Sequence, residues 1–329
     1  MNYDIVKTDR QTGDKQPVLS VIIPVYNAAD TIVACLNSIL QADILDSEII
    51  LVDDGSTDET YLRVNEFCQL DNVRLFSKSN GGSASARNYG LSVSRGRFIC
   101  FIDSDDEVDS RAFREVFEST LDLDPDIACF GIKIEDQSGF QSEIIAEDST
   151  DSVWANFIYH PIYMHGVCNK FFKRSLIIKN NIIFENDLVV CEDMLFCAEV
   201  FSHSKLIRYF NTVAYKYKRR GNSVTNSTLA IKKSHDDKEA AHRLELYLPN
   251  EQDPYFWDLI QYRYLYAGLR FLTEVDIYSP DMFREYVKSL RAVKYLKNIR
   301  HRFMCIVAYY RIDIILDLMI TIKSWKYRT

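Results

Sequence analysis

Five consecutive apolar residues, Phe98-Ile99-Cys100-Phe101-Ile102, run directly into Asp103-Ser104-Asp105-Asp106. A run that is apolar at every position reads as a strand buried on both faces, as in the parallel sheet of an α/β protein. Three carboxylates then stand where that strand must leave the sheet. Crowding acids there costs Coulomb repulsion and desolvation, so the arrangement calls for a compensating cation. Asp103 and Asp105 are two residues apart, and an extended backbone aims both the same way. Two hard oxygen ligands at the carboxyl end of a strand suit Mg²⁺ or Mn²⁺, with a substrate diphosphate completing the shell. The plainer alternative is a solvated acidic turn capping a helix that begins near Ser110.

Upstream of that segment, strand and helix signals alternate. Residues 19–25 form an apolar run, and residues 29–40 carry helical spacing through Ile32, Cys35, Leu36, Ile39 and Leu40. Residues 48–52 read as a second strand. Ser56-Thr57-Asp58-Glu59 has the form of a capping box opening a helix through Leu62, Phe67 and Leu70. Residues 73–76 read as a third strand, 83–94 as a third helix, 98–102 as the fourth strand and 127–134 as a fifth. This succession predicts right-handed crossovers and a doubly wound sheet, on which ligands gather at the carboxyl ends of the strands. The polar stretch 135–151 reads as a loop at the sheet's edge.

At 329 residues the chain has room for one large domain and a smaller appendage. Residues 1–17 are polar and aperiodic, a loose leader. The main domain is expected over 18–228 and a helical region over 229–329, with no strand after Asn226. The net charge of −8 argues against nucleic-acid binding. It is unevenly spread: residues 283–329 hold eleven Lys/Arg against three Asp/Glu, which leaves that segment near +8 and the remainder near −16. A basic tail interleaved with aliphatic and aromatic side chains suits an anionic membrane surface, packing on the main domain, or a dimer contact. Eight cysteines lie mostly in apolar runs without a C-x-x-C pair, as expected of core thiols in a reducing compartment. The N-terminus lacks the features of a signal peptide, and no apolar run approaches the roughly 20 residues of a membrane span. A cytoplasmic protein, touching the inner face of a membrane without crossing it, is the expectation.

Each of the first four strands is followed by a loop suited to a nucleotide ligand. Pro24-Val25-Tyr26-Asn27 offers an aromatic able to stack on a base. Val52-Asp53-Asp54-Gly55-Ser56 offers a carboxylate to accept an imide hydrogen. Asn80-Gly81-Gly82 through Ala86-Arg87-Asn88 combines glycines that permit close approach with a helix start that favours anions. That loop lacks the Lys-Ser/Thr ending of a P-loop, and no G-x-G-x-x-G occurs in the chain. Asp103-Ser104-Asp105 is the fourth.

In this order and spacing the four loops resemble the nucleotide-sugar-binding half of the family 2, GT-A-fold glycosyltransferases of bacterial polysaccharide synthesis. The resemblance runs from about residue 18 to 110 and implies a Rossmann-like, mostly parallel sheet with flanking helices. It implies base contacts from Tyr26 and Asp54 in a pocket that includes Pro24, Asp53, Gly81, Gly82, Arg87 and Ser104. It places Asp103 on the ribose side and Asp105 at the metal, Mn²⁺ or Mg²⁺. A weaker likeness continues over residues 111–228: Asn169-Lys170-Phe171-Phe172 and Cys191-Glu192-Asp193-Met194 look like the family's acceptor-side motifs. The resemblance implies Asp193 as catalytic base beside Glu192. A carboxylate there has a physical role, taking the acceptor hydroxyl's proton in an inverting transfer. Alternatively, the two acids complement a helix dipole. The chain departs from the family in having Cys168, not an aromatic, before Asn169-Lys170. Arg219 and Arg220, beside Gly221 inside the cluster 216–225, suit a mobile flap that neutralises a leaving diphosphate, or else a basic surface loop. His165, ahead of Asn169, reads first as an ordinary structural histidine, with the lining of an acceptor cleft as the alternative.

The implied activity is transfer of a sugar from a UDP-sugar to the hydroxyl of a glycan or lipid-linked acceptor. A sugar-nucleotide nucleotidyltransferase and a non-catalytic scaffold are the alternatives. The former generally needs a basic glycine-rich loop after the first strand, where this chain has Pro-Val-Tyr-Asn.

Overall fold

Four apolar runs become strands β1 (Leu19–Val25), β2 (Ser47–Asp53), β3 (Val73–Ser77) and β4 (Phe98–Phe101), nearly every residue of them buried. The computed structural model describes residues 16–145, 152–220, 230–273, 279–287 and 289–310. All four strands are parallel, in the order β3-β2-β1-β4. The chain builds outward from β1 to β3 and then returns to pair β4 on β1's other side. That reversal opens a crevice beyond the carboxyl ends of β1 and β4, the usual ligand position on such sheets. Tyr26 and Asp103 emerge there.

The sheet continues through β5 (Glu107–Val108), β6 (Ile127–Asp136), β7 (Gln141–Ile144), β8 (Lys170–Lys173) and β9 (Ile207–Arg219). Its full order is β3-β2-β1-β4-β8-β6-β9-β5, with β7 on β6. β8 joins β4 and β6 antiparallel, whereas β9 runs parallel to β6. Two glycines allow the close packing. A Cβ on Gly90, in the helix Gly82–Val93, would stand 2.3 Å from Ile22 Cγ2. One on Gly96 would lie 2.4 Å from the Ser20 amide nitrogen. Beneath the downstream half lie Phe101, Phe172, Phe184 and Phe196, the last two stacked at 4.1 Å.

Two local expectations are corrected. The helix after β2 is Thr60–Asn65, and no capping box forms at Ser56. The Ser56 hydroxyl accepts the Asn27 amide (3.0 Å), while the Asn27 side chain accepts the Thr57 amide (2.8 Å). Leu62, within that helix, and Leu70 are 65% and 42% exposed. The stretch from Glu135 is a β6–β7 hairpin rather than a plain loop, its turn closed by Asp136 accepting the Ser138 and Phe140 amides; residues 146–151 lie outside the described residues.

The chain divides into two compact units: Met1–Ser149, Ile162–Asn186 and Phe196–Gly221 form one, and Thr150–Pro161, Asp187–Leu195 and Asn222–Thr329 the other. Among described residues after 229 only helices occur, the longest being Ala230–Tyr247 and Pro254–Thr273. The core of the second unit gathers Leu265, Leu269, Phe283, Tyr286, Met304 and Val307. Its basic groups are largely engaged. Arg291 and Lys294 pair with the buried Asp258, and Arg284 and Arg302 donate to the Ala308 and Leu296 carbonyls. No described helix is long and apolar enough to cross a membrane. The basic stretch 311–329 lies outside the described residues.

Candidate active site

Beyond β1 the backbone turns at Asn27, which adopts a left-handed φ of 47°. Pro24 stays inside the strand, in register with Val52. Tyr26 is 49% exposed, an aromatic face left uncovered at the crevice. This is the state expected of a stacking platform, since an apolar ring gains by being covered.

Asp53 and Asp54, both 3% exposed, have internal duties. Asp53 accepts the Ser56 amide (3.1 Å) and the Ser77 hydroxyl (3.0 Å). Asp54 receives the ammonium of the equally buried Lys78 together with the amides of Gly81 (3.0 Å) and Gly82 (2.7 Å). The anion on this helix start is therefore the protein's own Asp54. The sequence marked this helix start as one that favours anions, and an internal carboxylate takes up these two amides. The glycine loop is a braced wall, and Lys78, 24 residues from Asp54, is the partner that sequence reasoning missed.

The three acids after β4 take three different states. Arg87, 4% exposed and reaching from the helix Gly82–Val93, donates to Asp103 Oδ1 at 2.8 Å. Its guanidinium also lies over the Phe184 ring at 5.5 Å. The Ser104 carbonyl accepts the Thr31 hydroxyl at 2.9 Å, fixing the turn. Asp105 is exposed. Lost hydration and the charge of Asp103 push its carboxyl above the usual range, with Arg220 opposing. Asp106 is 1% exposed and turned away, accepting the Tyr215 hydroxyl and the Lys218 amide (2.8 Å) of β9. Burial, then Asp103, raises its carboxyl strongly.

Lys216 to Arg219 belong to β9 and not to a loop, which corrects the flap expected there. Arg219 stands opposite Asp136 at the end of the ladder. Arg220 follows and donates to the Asp105 carbonyl at 3.1 Å, so it is the arginine facing the acid turn. The rest of the expected flap, residues 221–225, lies outside the described residues.

Asn169 and Lys170 are 1% and 0% exposed, and β8 carries Lys170 inward. Its ammonium donates to the Tyr163 carbonyl (2.6 Å) and Asn169 Oδ1 (2.8 Å), and the Asn169 amide donates to the Phe130 carbonyl (3.1 Å). The motif expected to meet the acceptor is thus an internal brace. His165 ends the short helix Pro161–His165. In the second unit, Glu192 and Asp193 open the helix Glu192–His203, both partly exposed in its first turn. That position suits acids by dipole complementarity and also leaves them accessible to a ligand.

Asp103 and Asp105 can serve a divalent cation. They are hard oxygen donors at one strand exit, with Arg87 on the Asp103 carboxylate and Arg220 on the Asp105 carbonyl. Among the described residues no cluster of three or more His, Cys, Asp or Glu side chains is arranged for a metal. Two carboxylates would need further oxygens from a ligand.

This mixed sheet with its flanking helices has the GT-A fold. The structure superimposes on a crystal structure of S. aureus TarS 1–349 in complex with UDP-GlcNAc (TM-score 0.68, 20% identity, 94% of this chain and 91% of that one). It also superimposes on the mannosyltransferase PcManGT from Pyrobaculum calidifontis in complex with GDP-Man and Mn²⁺ (TM-score 0.55, 15% identity, covering 99% and 86%). At such identities the likeness is one of fold. In sequence, residues 20–179 match the model of Glycosyl transferase family 2. An uncharacterized glycosyltransferase of Bacillus subtilis (strain 168), EpsJ, is 37% identical over 116 residues, 35% of this chain and 34% of that protein. The matched stretch is about a third of the length of such curated relatives.

Proposed function

We propose that this protein transfers a sugar from a UDP-sugar to the hydroxyl of a glycan or lipid-linked acceptor, inverting the anomeric centre, with Mn²⁺ or Mg²⁺ held by Asp105 and Asp103. The observation that carries the reading is the division of labour after β4: one acid anchored by an arginine, one exposed, one withdrawn into β9. Tyr26 would stack on the uracil, with Asp53, Asp54 and the loop they brace forming the wall beside it. Asp103, oriented by Arg87, would serve the ribose and the cation. A bound cation would neutralise charge developing on the diphosphate as the leaving group departs. Arg220 and Arg219 would add positive charge to that side.

Asp193, with Glu192 beside it, would act as base. The acceptor oxygen attacks the anomeric carbon, and its proton passes to the Asp193 carboxylate. The bond from that carbon to the diphosphate oxygen breaks, and UDP leaves with the electron pair. The UDP-GlcNAc held by TarS supports a uridine donor, and the Mn²⁺ complex of PcManGT supports the metal.

The test is calorimetric titration of UDP-sugars with and without Mn²⁺, alongside transfer assays of Asp105→Ala and Asp193→Asn. Asp105→Ala should lose metal-dependent UDP binding. Asp193→Asn should keep UDP binding and lose transfer. Metal-independent UDP binding by the wild type would remove the metal assignment, and transfer by Asp193→Asn would remove the base.

A further inference from the structure

The nine residues Asp187–Leu195 belong to the second unit, and helices from the far end of the chain hold them. On the helix Ala230–Tyr247, Lys232, Asp236 and Arg243 share one face, at spacings of four and seven residues. Arg243 forks onto the Asp187 carboxylate at 2.9 and 2.6 Å. Lys232 donates to the Asp187 carbonyl (3.1 Å) and to Asp236 Oδ1 (2.6 Å). Asp236, 1% exposed, accepts the Val189 and Val190 amides on its other oxygen at 2.7 and 3.3 Å. Its neighbour Asp237, also 1% exposed, accepts the Cys191 thiol at 3.2 Å. Asp237 is itself held by Arg263 and by Arg270 (3.3 Å) of the helix Pro254–Thr273.

Two adjacent buried acids thus grip three successive residues, and the third, Cys191, sits at a left-handed φ of 73°. That conformation is uncommon for a residue with a Cβ and persists only where surroundings impose it. Glu192 and Asp193 come next, and the Leu195 amide closes the first helical turn on the Cys191 carbonyl. The direction in which this acid pair leaves the backbone follows from where the grip fixes residues 189–191.

We propose that Asp236 and Asp237 are positioning residues for the base Asp193, so that the carboxyl-terminal helices set the turnover number without touching substrate. The proposal rests on the assignment of Asp193 under Proposed function. Neither acid could be replaced by a group that only fills space. Val189 and Val190 would lose their shared acceptor, and Arg263 and Arg270 would be left facing each other. A misplacement of about 1 Å in a catalytic group can cost about 100-fold in rate.

The test uses the full chain and expresses kcat per UDP-binding molecule, with UDP stoichiometry from calorimetry, so that lost folding is not counted as lost catalysis. Asp236→Ala should bind UDP at unchanged affinity while kcat per binder falls about 100-fold and donor KM stays within about twofold. Asp236→Asn, which keeps one acceptor, should restore part of kcat. Lys232→Met, at a side chain 44% exposed, removes support for Asp236 and Asp187 without a buried cavity and should lower kcat per binder severalfold. If Asp236→Ala does not fold, the other two variants decide. Wild-type kcat per binder in the folded variants overturns the positioning role and leaves the base standing. Transfer by Asp193→Asn, measured in parallel, overturns the base and this proposal with it.

Discussion

Arg87 donates to Asp103 at 2.8 Å, with the arginine side chain 5% exposed and the acid 36% exposed. The cation is sunk in the protein and the anion stands at its rim, so the pair acts as a fixed bracket for one carboxylate. Charge-assisted hydrogen bonds contribute about 1.5–3 kcal/mol. Arg87→Met keeps an apolar stem beside Phe184 but frees Asp103, and UDP affinity in Mn²⁺ should fall roughly tenfold or more. Calorimetry measures this directly. Unchanged affinity would mean that Asp103 needs no bracket.

Lys78 and Asp54 form an ion pair with both side chains 4% exposed. Removing one member of such a pair leaves an uncompensated buried charge, at about 3–5 kcal/mol. Lys78→Met should destabilise the protein by that amount in urea unfolding. Lys78→Met combined with Asp54→Asn should recover about half, because the two sites are coupled. Additive losses would show that the pair does not brace the glycine loop.

Burial, with the charge of Glu185 adding, pushes the half-buried Glu199 carboxyl up to about 7. In an unfolded chain a glutamate titrates near about 4.3. Between those values the native state binds the extra proton, so stability falls as pH rises from about 4.3 to about 7 and stays lower above. Glu199→Gln should flatten that slope and raise stability at pH 8 by on the order of 1 kcal/mol, solvent screening included. Denaturant midpoints at pH 4.5 and pH 8 check it. An equal effect at both would contradict the shift.

Gly90 meets β1 with no space for a side chain, its added Cβ falling 2.3 Å from Ile22 Cγ2. Helix propensity alone would favour alanine there by about 1 kcal/mol. Overpacking should prevail, and Gly90→Ala should cost about 1–3 kcal/mol. A stabilised variant in thermal unfolding would show that the helix shifts freely on the sheet.

Strands β1 to β4 were legible because burial on both faces demands continuous apolar runs, which have few other readings. β9 was not. Its burial alternates irregularly, and it ends in Lys216-Tyr217-Lys218-Arg219, which reads as a solvated loop until β5 and β6 are there to pair with it. β8 is four residues with a lysine at each end, and only the carbonyls around Lys170 explain an ammonium in the core. The acids after β4 were visible as a cluster, but their three separate states depend on Arg87, Tyr215 and Arg220, whose proximity is a property of the sheet. Ser56 and Thr57 carried a capping pattern that Asn27, thirty residues earlier in the chain, took over.

Residues 187–195 fall between stretches of the first unit in sequence but are tied to helices that come later. A hybrid enzyme joined to a relative anywhere from 196 to 229 would separate a short peptide from the scaffold that shapes it. On the proposed function, exchanging acceptor preference with a relative by swapping carboxyl-terminal halves calls for two grafts made together, the peptide and its helices, and a single splice should yield protein that binds UDP yet transfers nothing.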